Sequence, residues 1–261
     1  MENLKFLFTG PLGPGQVPEV GEYDPSLVGL ISPHAGFTYS GQASAWGYAE
    51  AGNHGPRDLI VILGPNHRGS GSGISFPESE IWQTPLGEVE IDKGIEMEIA
   101  RRFKSIDFDE AAHREEHSIE IQLPFLQFIY GNNFKLIPIS MWLYDLQLAK
   151  QLGSAIARAV SGRRFMVIAS SDMSHYVPSK VAAERDSLTL KEICELDEDG
   201  TWNASQRYES LCGSAPVVSA IAAAKELGAK GGRILKYYHS GDVTGDSSAV
   251  VGYSSVAFET K

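Results

Sequence analysis

The hexapeptide SSDMSH, residues 170–175, follows an apolar run, FMVIA, that reads as a buried strand. Asp172 and His175 therefore emerge just past a strand's carboxyl end. Two further strand-like runs end the same way: VGLI leads into SPHAGF with His34, and LIVIL into GPNHRG with His67. In an open parallel α/β sheet, ligands and catalytic groups collect at that edge. The pattern predicts that His34, His67 and the Asp172/His175 pair share one rim. Neutral imidazoles converging with a carboxylate or thiolate suit a late first-row transition metal. Asp172 and His175 read as a proton-handling or substrate-orienting pair beside such a metal. The competing reading is an aspartate capping the next helix and a histidine filling a loop.

The chain has seven histidines. His239 also follows a strand-like run, His113 lies in a polar loop and His54 in an NHG turn, while His117 opens a helix. A lone histidine at such a place is commonly satisfied by the backbone; two on neighbouring strand ends shift the balance toward a ligand pair. Cys212, in ESLCGSAPVVSA, sits where the chain turns into a helix, a position that favours the thiolate. With two histidines it would form a His/His/Cys site with open positions, and the alternative is a small core cysteine. Cys194, within LKEICEL, reads as core. His117 and Glu120 can face one side of a helix and support a ligand from behind, or simply form a solvated helix start. HExxH, GxSxG, GxGxxG and P-loop patterns are absent, which argues against the corresponding protease, hydrolase and nucleotide sites.

These residues need strands to deliver them. Strands are expected over 27–32, 58–64, 134–142, 164–170, 232–239 and 250–258. Helices are expected over 40–51, 93–104, 179–196, 202–209 and 212–227. A further helix follows a cap at Asp145 and ends near Gly162. Residues 117–130 carry helical spacing, with Pro124 making a kink or break. Residues 1–26 read as an irregular lead-in in which 5–9 could be a short strand. Residues 69–92 suggest a small β-hairpin insertion, and 105–116 a polar irregular stretch. Strands and helices alternate throughout, so the expected fold is α/β. It is a single domain over 1–261 with a predominantly parallel or mixed central sheet covered by helices.

Composition narrows the partners. With 22 basic and 33 acidic residues the net charge is -11, so no basic excess exists to meet nucleic acid or an anionic membrane. No run approaches a membrane span and the start lacks a signal-peptide core, which makes the cytoplasm the expected compartment. Two cysteines form no disulfide framework.

In this order, SPHAGFTYSG, LGPNH, EHSIEIQLPFLQ, SSDMSHY, LCGSAPV and YYHSGDVTGD resemble the Memo family from about residue 28 to the C-terminus. That family is similar in fold and site to LigB-type class III extradiol dioxygenases, non-haem iron enzymes on an α/β sheet. The resemblance implies that His34, His67 and Cys212 face a metal, with iron (Fe2+) or copper as cofactor. His175 would then stand at the place of an acid/base histidine, and Asp172 and His117 would line the same cleft. In the dioxygenases a carboxylate stands where Cys212 stands here. A thiolate is softer and changes metal preference and redox tuning. Animal Memo proteins are linked to signalling through phosphotyrosine peptides. Two functions are thus expected to compete: a metal-dependent redox enzyme, and a non-catalytic protein holding a peptide or small acidic ligand in the same cleft. A zinc hydrolase is a third, weaker reading.

Overall fold

The computed structural model describes residues 1–261. In chain order the first half contains α1 (Glu2–Thr9), β1 (Leu27–Ser32), α2 (Phe37–Asn53), β2 (Leu59–Pro65), β3 (Ile74–Phe76), β4 (Ile81–Thr84), β5 (Gly87–Ile91), α3 (Lys93–Arg102), β6 (Asp107–Phe108) and α4 (Leu123–Tyr130). The second half contains β7 (Lys135–Met141), α5 (Leu146–Val160), β8 (Phe165–Ser170), β9 (His175–Val177), α6 (Ser179–Cys194), α7 (Glu198–Tyr208), α8 (Ser214–Glu226), β10 (Gly231–His239), α9 (Ser240–Thr244) and β11 (Val250–Glu259). No helix is long and apolar enough to cross a membrane.

The sheet runs β10-β11-β1-β8-β2-β7-β3-β6. Its middle, β1-β8-β2-β7, is parallel, and β11 and β10 extend it antiparallel on one side. Inner parallel strands are covered on both faces and so carry unbroken apolar runs. Alternate residues serve opposite faces. Leu59, Val61 and Leu63 pack in a large core with residues of α3, α5 and α8. Ile60 and Ile62 pack in a second core with α1, α2 and α4. The chain is thus a single α/β domain with an open mixed sheet between helical layers.

Small residues set how closely the layers approach. A Cβ on Gly153 of α5 would collide with the Ser219 carbonyl of α8, so glycine lets the two helices touch backbone to backbone. Gly47 of α2 lies over Ser255 of β11, where an added Cβ would come within 3.2 Å of the Ser255 Oγ.

Several elements differ from the sequence expectation. Residues 5–9 belong to α1, not to a strand. The run KFLFT is too short to fix a period alone, and Leu4, Leu7 and Phe8 bury at helical spacing. Pro124 neither kinks nor breaks a helix. It occupies the first turn of α4, where a missing N–H costs nothing, and a 3-10 turn over Glu120–Gln122 precedes it. The hairpin β4–β5 is no separate insertion, because β5 joins the edge of β7 in parallel and β3 joins the same strand antiparallel. Asp145 caps α5 as expected, accepting from the Leu148 N–H at 2.9 Å.

Gly64, near the carboxyl end of β2, ties the sheet to the site loops. A methyl there would lie 2.5 Å from Ser118 Oγ and 2.6 Å from Ile119 Cγ1. Gly64→Ala is expected to cost about 1–3 kcal/mol by overpacking, read from urea denaturation. A cost near zero would show that the 118–119 turn yields freely and does not depend on this contact.

Candidate metal centre

The parallel strands end in register: Ser32 of β1 lies opposite Ser170 of β8, and Leu63 of β2 opposite Ala169. Just beyond them the chain places His34, Asp172 and His67. Asp172 does not cap a helix. Its buried carboxylate accepts the backbone N–H of His34 at 2.8 Å and of Ala35 at 3.2 Å, fixing the turn after β1. Cys212 approaches from the loop before α8. Its Sγ accepts the Asp172 N–H at 3.2 Å and lies 3.3 Å from His34 Nε2. A Cβ on Gly213 would press to 2.7 Å of the Ser170 carbonyl, so glycine lets this loop rest against the end of β8. One ligand atom from each of His34, His67 and Cys212 lies within 4.8 Å of the others.

Hydrogen bonds set the tautomers. Ser170 Oγ donates its one proton to the Ser118 carbonyl at 2.6 Å and accepts from Gln122 Nε2 at 2.9 Å. Toward His34 Nδ1, at 2.9 Å, it can only accept. His34 therefore carries its proton on Nδ1 and a bare lone pair on Nε2. His67 is held alike: Glu116 Oε1 lies 3.0 Å from its Nδ1, and a carboxylate only accepts. Both rings thus keep Nε2 free, with Nδ1 anchored by an acceptor, the arrangement seen in metal-binding histidines.

Glu116 organises the other half of the site. Its carboxylate accepts the backbone N–H groups of His67, His117 and Ser118 and also lies 3.2 Å from His117 Nδ1. Burial opposes its ionisation. The hydrogen bonds from His117, His67 and the backbone outweigh burial and hold it well below the usual carboxylate range. In return Glu116 raises the proton affinity of His117, against partial burial. The rings of His34, His67 and His117 lie 5.1 to 5.7 Å apart, centre to centre. Burial pushes His34 down to about 4, although Asp172 favours its charged form. Burial also drives the Cys212 thiol upward, reinforced by Asp172. The helix start expected to favour the thiolate is outweighed by this setting.

His175 makes no hydrogen bond to the cluster. It begins β9 and pairs with Val251 of β11, and its Nδ1 meets the Met173 carbonyl at 2.8 Å, leaving Nε2 free. Ser174, beside it, is gripped by the buried carboxylate of Asp186 through both N–H and O–H. Tyr176 has φ +56, a left-handed value that a non-glycine residue adopts only when its surroundings impose it.

Glu120 makes no hydrogen bond to a candidate ligand; it lies in the 3-10 turn, and Glu116 takes the supporting part. Sequence reading also passed over Ser170, Gln122 and Tyr144. The Tyr144 hydroxyl donates to the Cys212 carbonyl at 3.1 Å from the loop after β7. Glu116 sat next to a noted histidine, and that adjacency was the available signal. Nothing marked Tyr144, because only tertiary contact brings it here.

A cavity of about 520 Å³ opens beside His117, with Trp82, His113, Arg114 and Glu120 among its walls. His113, far from the candidate ligands in its contacts, bonds the Ser75 carbonyl at 3.1 Å, and burial lowers it to about 4.

The Memo-like protein family model matches residues 12–257. A MEMO1 family protein of Methanopyrus kandleri is 42% identical over 258 residues, covering 98% of this chain and 91% of its own. One from Methanocaldococcus jannaschii is 43% identical over 256 residues, covering 95% and 88%. Among solved structures, an uncharacterized protein from Escherichia coli K12 aligns with a TM-score of 0.59 at 12% identity, over 88% of this chain and 99% of that one. That likeness is one of fold.

His113 yields a sign-definite pH effect. Its native pKa lies below its unfolded value, so the unfolded chain binds the proton first. Its contribution is complete above pH 6.5 and is lost as pH falls toward 4. His113→Asn is expected to remove, from the fall in unfolding free energy across that window, on the order of 3 kcal/mol. Parallel stability profiles for the two proteins would refute the assignment.

Proposed function

The chain belongs to the Memo family, and from that premise we propose that it is a metal-dependent redox enzyme of LigB-dioxygenase-like architecture. His34, His67 and Cys212 would hold non-haem iron or copper. The observation that carries the reading is the pair of fixed tautomers: Ser170 and Glu116 each occupy an Nδ1, leaving two Nε2 lone pairs beside the Cys212 sulfur. Two imidazoles and a thiol are a donor set for a late first-row metal, and three protein ligands leave positions for substrate. When bound, such a metal supplies a Lewis acid and a redox couple able to activate dioxygen or a bound substrate.

The remaining residues have parts that their contacts suit. Asp172 orients the His34 turn and the Cys212 loop through backbone bonds. His117, held by Glu116, can deliver a proton from Nε2 into the cavity it lines. His175, with Nδ1 tied to Met173, offers a second Nε2 for proton transfer. The expected compartment is the cytoplasm, with a small-molecule substrate.

A second reading keeps the cleft and drops the turnover. The unpaired Arg114 beside His117 suits a peptide or small acidic ligand held without reaction. The two readings part on metal. Protein purified without oxygen is expected to contain near-stoichiometric iron or copper by elemental analysis. His67→Ala and Cys212→Ser should each lower it by roughly tenfold or more. Full occupancy in both variants removes the ligand assignment. A metal-free cleft in protein from metal-replete medium, with peptide affinity lost in His175→Ala, favours the binding protein.

A further inference from the structure

A second cavity adjoins the first. It is an apolar groove of about 1000 Å³, walled by Leu4, Phe6, Leu7, Leu12, Leu86 and Val243. Phe37, Pro85 and Pro124 line both this groove and the cavity at His117. The two therefore share a wall and together form one trough. Phe37 stands in that wall, its ring set edge-on to Phe125 at 5.5 Å. Phe6 is 56% exposed in the groove wall. Contiguous exposed apolar surface of this kind marks a binding surface rather than ordinary exterior.

The far end of the trough is polar. Arg114 lines it and pairs with no carboxylate of the chain. Ser79 also lines this end, with its hydroxyl turned away from solvent. Of the two glutamates there, Glu110 is already engaged, accepting the N–H groups of Glu78 and Ser79 at 3.0 Å. Glu120 remains as a negative charge at this end, so an acid would be held there through Arg114 alone.

We infer that this trough binds an amphipathic aliphatic acid, its carboxylate at Arg114 beside His117 and its hydrocarbon chain laid over Phe37 into the groove. The inference deepens the enzyme reading by naming the substrate class, and rests on it for what becomes of the head group. Continuity of the groove with the polar cavity at His117 selects this occupant over a second protein. A chain lying in the groove alone would leave the polar end unfilled.

The test is calorimetric titration of the full-length protein with straight-chain alkanoates from butanoate to dodecanoate, below their micelle concentrations, and with alkylamines of equal length. Affinity for the acids should rise with length, by up to roughly fourfold for each methylene that becomes buried. Acids should bind more tightly than amines, and Arg114→Ala should weaken every acid by roughly tenfold. Phe6→Asp and Val243→Asp, both away from the metal centre, should flatten the length dependence while metal content stays unchanged. Length-independent binding, an amine preference, or unaltered dodecanoate affinity in both Asp variants overturns the proposal. So does a stable dimer in light scattering that covers the groove and excludes dodecanoate, which would give the groove to a second copy of the chain. Metal-free His67→Ala separates the two ideas. Full length dependence there keeps the trough assignment even if the redox reading has failed.

Discussion

A serine hydroxyl has one proton to give, and at Ser170 that proton goes to the Ser118 carbonyl. Everything at the centre is oriented by that choice. Because Ser170 Oγ must then accept from His34, the imidazole is locked with its proton facing away from Cys212. The same oxygen accepts from Gln122, whose amide also donates to the Pro33 carbonyl at 3.0 Å and whose oxygen accepts from the Tyr48 hydroxyl at 2.6 Å. The network joins β1, β8, α2 and the turn before α4. In a buried, low-dielectric setting an unpaired group in such a chain is costly, so a fully satisfied network holds one arrangement strongly. The precision of the site thus derives from the core beneath it rather than from the loops that carry its side chains.

The two candidate ligand histidines are held by different means. His34 is 3% exposed and anchored by a neutral hydroxyl, whereas the His67 side chain is 37% exposed and anchored by a carboxylate. The buried ring is paired with a neutral partner and with Asp172, whose oxygen is 4.0 Å from Nε2. The exposed ring can tolerate a full negative charge beside it because Glu116 is shared with His117. One face of the cluster is therefore buried, and the other, at His67 and His117, is exposed.

Much of this was legible in the sequence, for a definite physical reason. Inner parallel strands announce themselves as unbroken apolar runs, and residues placed just after them cannot avoid the sheet's carboxyl edge. That logic predicts His34, His67, Asp172 and His175 on one rim; the structure brings the first three together, while His175 makes no hydrogen bond to them. Elements at the periphery were harder to read. The stretch KFLFT carries too few residues to separate a helix from a strand, and it became α1. The β4–β5 hairpin showed its turn but not its neighbour, since joining β7 depends on contacts across the chain. Glu116 was hidden by its chemistry: a glutamate among polar residues reads as solvated, and only the fold reveals a buried carboxylate receiving several donors. Tyr144, reaching Cys212 across 68 residues, left no local trace at all.

Charge accounting links these pieces to the proposed metal. Around the cluster, Glu116 is matched by His117, whose protonation it favours. Asp172 has no cationic partner of its own, because burial keeps His34 neutral. Next to that uncompensated carboxylate the Cys212 thiol resists ionisation. A cation held by His34, His67 and Cys212 would act against that resistance, because a metal draws the proton from a coordinating thiol. The buried carboxylates of Asp172 and Glu116 thus set a field of the sign that a metal cation at this cluster would meet.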